Sequence, residues 1–309
     1  MKMSSLTLGF FAAAVTLGLI PSVPAQQVAD PDFDTRVARP VYTTRHPKVL
    51  LDEAHNNFHT ASGRYKPFAD LITSDGYQVT PGKAKFTADA LKGFDVLVIS
   101  NALGAPLMGS PKASESAFTD EECDVVRDWV RAGGHLLLIA DHAPMGAANE
   151  KLGMRFGVGM SKGYTSDPSN HDGDNEGSIT YTPANKLLGD HPIIRGRNAS
   201  EKITNIIAFT GQSLKGPEGS VAFMKLADTA VDLTPRGQGV EPGRAPAAGR
   251  AQGVAFKLGK GRAVVLAEAA MLSAQLAGPQ KMKFGMNRPG LDNRQLALNI
   301  MHWLSGLLK

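Results

Sequence analysis

Acidic and imidazole side chains gather at three places in the chain, each directly after an apolar run. Lys48-Val49-Leu50-Leu51 leads into Asp52-Glu53-Ala54-His55-Asn56-Asn57-Phe58-His59. Leu136–Ala140 leads into Asp141-His142-Ala143-Pro144, and Arg262–Ala267 into Glu268, with Ser273 and Gln275 close behind. A carboxylate beside an imidazole is the pairing that acid/base catalysis uses, because each group tunes the other's proton affinity. On that chemistry Glu53, His55, Asp141, His142 and Glu268 are the catalytic candidates. Asn56, Asn57, His59 and Gln275 are the substrate-binding candidates. The same residue types can instead hold a divalent metal that activates water, and the set would then be His55, His142 and Asp141. His55 and His59 share a face only if their segment is helical, and the chain has no His-Glu-x-x-His pattern there. Asp and Asn also cap helices and satisfy loop amides, so each residue has a structural role available to it as well.

These segments must be positioned by regular elements. Lys48–Asp52, Tyr77–Thr80, Asp95–Ser100 and Leu136–Ala140 read as strands, and Pro67–Ser74 as a helix with Phe68, Leu71 and Ile72 on one face. Thr119-Asp120-Glu121-Glu122 is a capping box opening a helix that buries Cys123, Val126 and Val130 and stops at Gly133-Gly134. Strands apolar on both faces and alternating with helices predict a mainly parallel sheet between two helix layers. In open sheets of that kind ligands bind beyond the carboxyl ends of the strands, which is where the three polar clusters lie.

The second half is more elaborate. Ile203–Phe209, Val221–Leu226, Gly253–Leu258 and Arg262–Ala267 read as strands, the last two forming a hairpin through Gly259-Lys260-Gly261. Residues 236–253 are rich in Pro, Gly, Arg and Ala and read as a flexible loop. The last helix is expected from Asn293 to Leu308, capped by Asp292, with Leu296, Ile300, Trp303, Leu304 and Leu307 facing the core. Other motifs fail on spacing. Gly157-Val158-Gly159 does not match a dinucleotide fingerprint, and the acidic run from Asp172 has Pro183 where a calcium loop needs Glu. His191 and His302 read as structural.

Composition sets the remaining bounds. Lys2, the uncharged stretch Leu6–Ile20 and the small residues up to Ala25 read as a secretory signal peptide over 1–25, with a secreted or periplasmic product. The apolar stretch is too short for a membrane span, so no integral membrane segment is expected after cleavage. Residues 26–46 read as an arm, and 47–309 as a single α/β domain. A net charge of +4 over 309 residues is no footprint for nucleic acid. Cys123, the single cysteine, has no partner for a disulfide and is expected to be buried.

Val49–Asp52, Asp95–Asn101 and Trp129–His142 together resemble the class I glutamine amidotransferase-like superfamily. "VRAGGHLLLIADH", "GDHPIIRG" and "GKGRAVVLAEAAMLSAQ" are similar to its GIFT-type and trehalose-utilisation-protein-like branches, and the resemblance runs over residues 47–308. It implies a flavodoxin-like three-layer sandwich. It also implies a nucleophilic cysteine at the turn after the strand Leu136–Ala140, and here that turn reads Asp141-His142. Glutamine hydrolysis through a thioester is therefore not expected. The resemblance leaves two readings. One is an exported hydrolase or lyase acting on a small polar, carbohydrate-like ligand. The other is a non-catalytic module of the same fold that binds a glycan, a peptide or an envelope partner.

Overall fold

The computed structural model describes residues 27–234 and 243–309. The segment read as a signal peptide and residues 236–242 of the expected loop lie outside the described residues. Among the described residues no helix is long and apolar enough to cross a membrane.

The main elements follow the apolar runs. In chain order they are β1 (Lys48–Asp52), α1 (Lys66–Ser74), β2 (Gln78–Gly82), β3 (Val96–Ser100), α2 (Asp120–Ala132) and β4 (His135–Ile139). There follow α3 (Met145–Arg155), β5 (Ala251–Leu258), β6 (Gly261–Leu266) and α4 (Asn293–Leu304). Strands β2, β1, β3, β4 and β6 lie side by side in that order, all parallel. Antiparallel pairing takes over beyond β6, where β5 returns as the hairpin partner and Leu214–Lys215 and Gly159–Met160 extend the edge. The fold is thus mixed α/β with one large, mostly parallel sheet.

Alternating side chains of the parallel strands supply two cores, as the two-residue period of a strand requires. Val49, Leu51, Val96, Val98, Leu137, Ile139, Val264 and Leu266 pack with Phe68, Leu71 and Ile72 of α1 and Leu296, Ile300 and Trp303 of α4. Leu50, Leu97, Ile99, Leu136, Leu138, Ala263 and Val265 pack with Cys123, Val126 and Val130 of α2 and Leu152 of α3. Each face of the sheet is therefore covered by a helix pair.

Local chemistry sets the ends of the elements. Thr119 and Glu122 form the reciprocal capping box at the start of α2, and Gly133 ends that helix with a φ of 127°. The expected cap at α4 is different. Asp292 sits at the N-cap, but its Oδ2 accepts from Thr204 N, Thr204 Oγ1 and Asn205 N at 2.7–2.9 Å, so it ties a loop to the helix instead of capping it. The helix also stops at Leu304, short of Leu308.

Two segments read as irregular carry strands. Gln27–Ala29 of the arm pairs antiparallel with Ala274–Ala277, aligning Ala29 with Gln275. Gly243–Pro246 pairs with Val231–Thr234, and Ala251–Gly253 already belongs to β5, so only part of 236–253 is left for a loop. Pairing between backbones overrode a composition poor in strand formers.

Gly261 opens β6 where a Cβ would lie 2.2 Å from the carbonyl oxygens of both Gly134 and Val130. Neither backbone can move without shifting the end of α2. Gly261→Ala should lower stability by about 3 kcal/mol, read from urea unfolding midpoints at unchanged m-value.

Candidate functional site

Strand register places the central residues. Ile139 of β4 is level with Ser100 of β3 on one side and Leu266 of β6 on the other. Counting on from there, Asn101 leaves β3 while Asp141 and Glu268 occupy equivalent positions two residues beyond β4 and β6. All three sit at the carboxyl edge of the parallel strands, where they line a cleft of about 170 Å³ together with His59, His142 and Gln275.

Asp141 is held from several sides. Its amide donates to Asn101 Oδ1 at 2.9 Å, and its Oδ1 accepts the His142 amide at 2.7 Å. Gln212, fully buried, donates from Nε2 to the carbonyls of Ala140 and Asp141 at 2.9 and 3.1 Å. Asn101 adopts a φ of 50°, in the left-handed region that asparagine tolerates better than most residues. Burial pushes the Asp141 carboxyl above its ordinary value, partly offset by His142 and by nearby hydrogen-bond donors.

Glu268 is just as buried. Its two oxygens accept the amides of Ala270 and Met271, each at 2.7 Å. Burial, and then the charge of Asp141, raise its carboxyl well above the ordinary range despite those donors. Burial disfavours the ionised form of both carboxyls, and at Glu268 the charge of Asp141 adds to that penalty.

His142 Nδ1 lies 2.7 Å from the Ala143 carbonyl oxygen. A carbonyl can only accept, so Nδ1 carries the hydrogen and Nε2 is the nitrogen free for substrate. The ring stacks on Tyr164 with centroids 4.4 Å apart, which fixes its plane. His59 stacks on Tyr65 at 4.5 Å and meets Ser100 Oγ through Nδ1 at 3.1 Å. Burial, helped by the charge of Arg64, lowers its pKa to about 3, so the ring is neutral at physiological pH.

Gln275 contributes an unmet acceptor. Its Nε2 donates to Ser273 Oγ at 2.7 Å, and Ser273 Oγ spends its one hydrogen on the Ala270 carbonyl at 2.8 Å. Ser273 Oγ can therefore only accept from Gln275, which fixes the amide orientation and leaves Oε1 buried without a partner. An orphaned buried acceptor costs about 1–3 kcal/mol.

The rest of the sequence-based set lies elsewhere. The segment after β1 turns toward α2 and satisfies itself there. His55 is wedged between Asp52 and Glu122, with Nδ1 2.9 Å from Asp52 and Nε2 2.9 Å from Glu122, beneath Phe86 and Phe118. Both ring nitrogens are engaged by carboxylates, and His55 does not line the cleft that holds His142 and Asp141. Glu53 accepts the Ala61 amide, and Asn56 donates to the Leu103 carbonyl. Asn57 bridges the His55 amide and Asp52 Oδ2. Among the described residues no group of three His, Cys, Asp or Glu side chains is arranged to hold a metal ion. Cys123 is fully buried on α2, and burial pushes its thiol up to about 11, which makes it a poor nucleophile.

Asn101 and Gln212 were not among the residues picked from sequence. Asn101 had a signal, since it follows a strand at the same level as the other two polar exits. Gln212 had none, because it reaches the site from a distant loop.

Fold and cleft together define an α/β protein with a buried carboxylate pair at the carboxyl edge of a mostly parallel sheet. No family model matches the chain. No curated protein matches it either. Among solved structures, the N-terminal domain of mmIFT52 superposes with a TM-score of 0.57 at 14% identity, over 84% of this chain and 97% of that one. A cytoplasmic protein, STM1381 of Salmonella typhimurium LT2, reaches 0.47 at 16% identity over 84% and 99%. A ThuA-like protein from Bacteroides uniformis reaches 0.43 at 13% identity over 86% and 94%. The likeness to the first is one of fold.

Two predictions follow from the buried charges. Burial alone would depress the His55 pKa, but Asp52 and Glu122 outweigh it and raise it above 6.5. A raised folded pKa gives stability that is complete below the unfolded value and lost as pH climbs through the folded one. His55→Ala should cost about 3–5 kcal/mol at pH 6, because it leaves two buried carboxylates uncompensated, and the deficit should shrink as pH rises. Urea titrations of both proteins across pH would show it, and a pH-independent gap would contradict the ion triad. Glu268 also has a raised folded pKa, so its contribution fades as pH rises from about 4.5. Carboxyl carbon NMR should find one protonated side-chain carboxyl at neutral pH that disappears in Glu268→Gln.

Proposed function

We propose that this chain is an exported hydrolase or lyase acting on a small, polar, sugar-derived substrate. It would have a glutamine amidotransferase-like fold without amidotransferase activity. The single observation that carries the reading is the cleft in which the buried carboxyls of Glu268 and Asp141 stand together with His142, whose Nε2 is free. A general acid and a general base are thereby held in one cleft, as acid/base catalysis needs. The order β2-β1-β3-β4-β6 supports the flavodoxin-like form of the fold, and the residues Lys2, Leu6–Ile20 and Ala25 support export.

In this mechanism His142 Nε2 accepts a proton, from water in hydrolysis or from a carbon-bound or hydroxyl hydrogen in elimination. Glu268 gives its proton to the leaving oxygen. Asp141 stays ionised and stabilises the imidazolium that forms on His142, and Asn101 holds the Asp141 backbone in place. Gln275 Oε1 accepts a substrate hydroxyl. A cleft of about 170 Å³ is small against the ~300–1,000 Å³ of drug-sized sites, which favours a ligand of about one sugar ring. Neither step needs a thiol, in keeping with the burial of Cys123.

The test is turnover of a panel of small glycosides, sugar lactones and sugar acids by the purified chain. Glu268→Gln and His142→Ala should each lower kcat by about 10²–10⁴-fold, with a bell-shaped pH profile in the parent protein. Gln275→Met should act mainly on KM. Activity undiminished in both acid/base variants would remove the assignment. Saturable ligand binding with no turnover would make the chain a binding module of the same fold.

A further inference from the structure

A second cleft, of about 710 Å³, lies on the face covered by α1 and α4 and shares no lining residue with the carboxylate cleft. Three segments build it: the arm around Arg36 and Arg39, the turn carrying Arg197 after Gly196, and the first turn of α4 with Arg294. We propose that this cleft is an oxyanion site that takes a phosphate-bearing ligand, with Arg39 and Arg294 as its principal donors. The proposal is independent of the function assigned to the other cleft.

Charge accounting carries it. The lining has four guanidinium groups against the carboxylates of Asp75 and Glu201. Arg36 is engaged by Asp34 at 2.7 Å and Arg197 by Glu201, with Nε at 2.9 Å. Asp75 is spent as well, since its Oδ1 accepts the Val41 amide at 3.1 Å and its Oδ2 meets His302 Nε2 at 2.6 Å. Arg294 makes one hydrogen bond, from Nη2 to the Arg36 carbonyl at 2.9 Å, and among the described residues no carboxylate pairs with it. Arg39 has no side-chain partner among them. Arg294 is partly desolvated, and burial lowers its pKa against the opposing, more distant charges of Asp34 and Asp75. A partly desolvated cation with no directly paired counter-ion is unfavourable, and an incoming anion offsets that penalty.

Donor capacity matches an oxyanion. Asn198 Oδ1 already accepts from Ser200 N and Oγ, which leaves its amide hydrogens for a ligand. Guanidinium forks from separate segments suit the several acceptor faces of a tetrahedral phosphate better than the single plane of a carboxylate. The volume leaves room for more than inorganic phosphate, so phosphate would be one group of a larger molecule.

Calorimetric titration of the full chain with inorganic phosphate at fixed ionic strength tests this. Saturable one-to-one binding is expected, weakened about tenfold or more in the Arg39→Gln/Arg294→Gln double variant and retained in His142→Ala. Thermal melts without phosphate would check that the double variant is folded. No saturable binding by the parent chain, or equal affinity in the double variant, overturns the proposal. Binding lost in His142→Ala but unchanged in the double variant would move the anion to the other cleft and overturn it too.

Discussion

Two carboxyl groups held out of water beside one another each make the other's charge more costly, and much of the structure serves to hold them there. Asp141 and Glu268 meet because β4 and β6 are parallel neighbours in register, with Ile139 level with Leu266. The sheet therefore sets the pair's spacing. The core beneath it, apolar on both faces of β1, β3, β4 and β6, resists the shifts that would let water in. Backbone amides after Glu268 and the His142 amide after Asp141 offset part of the desolvation that disfavours both charges.

Two histidine–carboxylate arrangements in this chain look alike in sequence and differ in what their nitrogens can do. His55 gives both nitrogens to carboxylates under a lid of phenylalanines, so its proton is locked into the fold. His142 spends only Nδ1, on a carbonyl that fixes the tautomer, and keeps Nε2 for the cleft. Glu122 shows why the first arrangement forms. The residue that completes the α2 capping box also receives His55 and the Phe86 amide, so the helix start and the loop after β1 stabilise each other. Removing water from such groups is unfavourable unless every partner is present.

This contrast shows what could be read from sequence. Strands flanked by polar exits were legible because apolar runs have few other interpretations, and the capping box was legible because its geometry is local. Asp141, His142, Glu268, His59 and Gln275 meet in one cleft because the strands that deliver them are parallel. Glu53, His55, Asn56 and Asn57 follow a strand just as directly, yet the loop bends to α2. That choice depends on Phe86, Phe118 and Glu122, which are distant in sequence. Asp292 makes the same point: next to a helix start it looks like a cap, but Thr204 and Asn205 compete for its carboxylate and win. The strands at Gln27–Ala29 and Gly243–Pro246 were hidden because an edge pairing needs only a partner backbone and leaves little imprint on side-chain choice.

The arm that this edge pairing holds links the two clefts. Ala29 is aligned with Gln275, and Asp30 accepts from Asn287 Nδ2, which also donates to the Gln275 carbonyl. The residue that leaves a buried acceptor beside the carboxylate cleft is thus backed by the arm. A few residues on, the arm passes Ser74 and Asp75 at the end of α1, bonded through the Val37 and Val41 amides, and presents Arg36 and Arg39 to the arginine cleft. Tyr42 then anchors it to Ser305 beyond α4. A segment with almost no regular structure thereby completes the wall of one cleft and one side of the other. Its order depends on bonds to α1, to the end of α4 and to the strand carrying Gln275. Loosening it at one point would withdraw support from both clefts, because one segment is bonded to α1, to the residues after α4 and to the strand carrying Gln275.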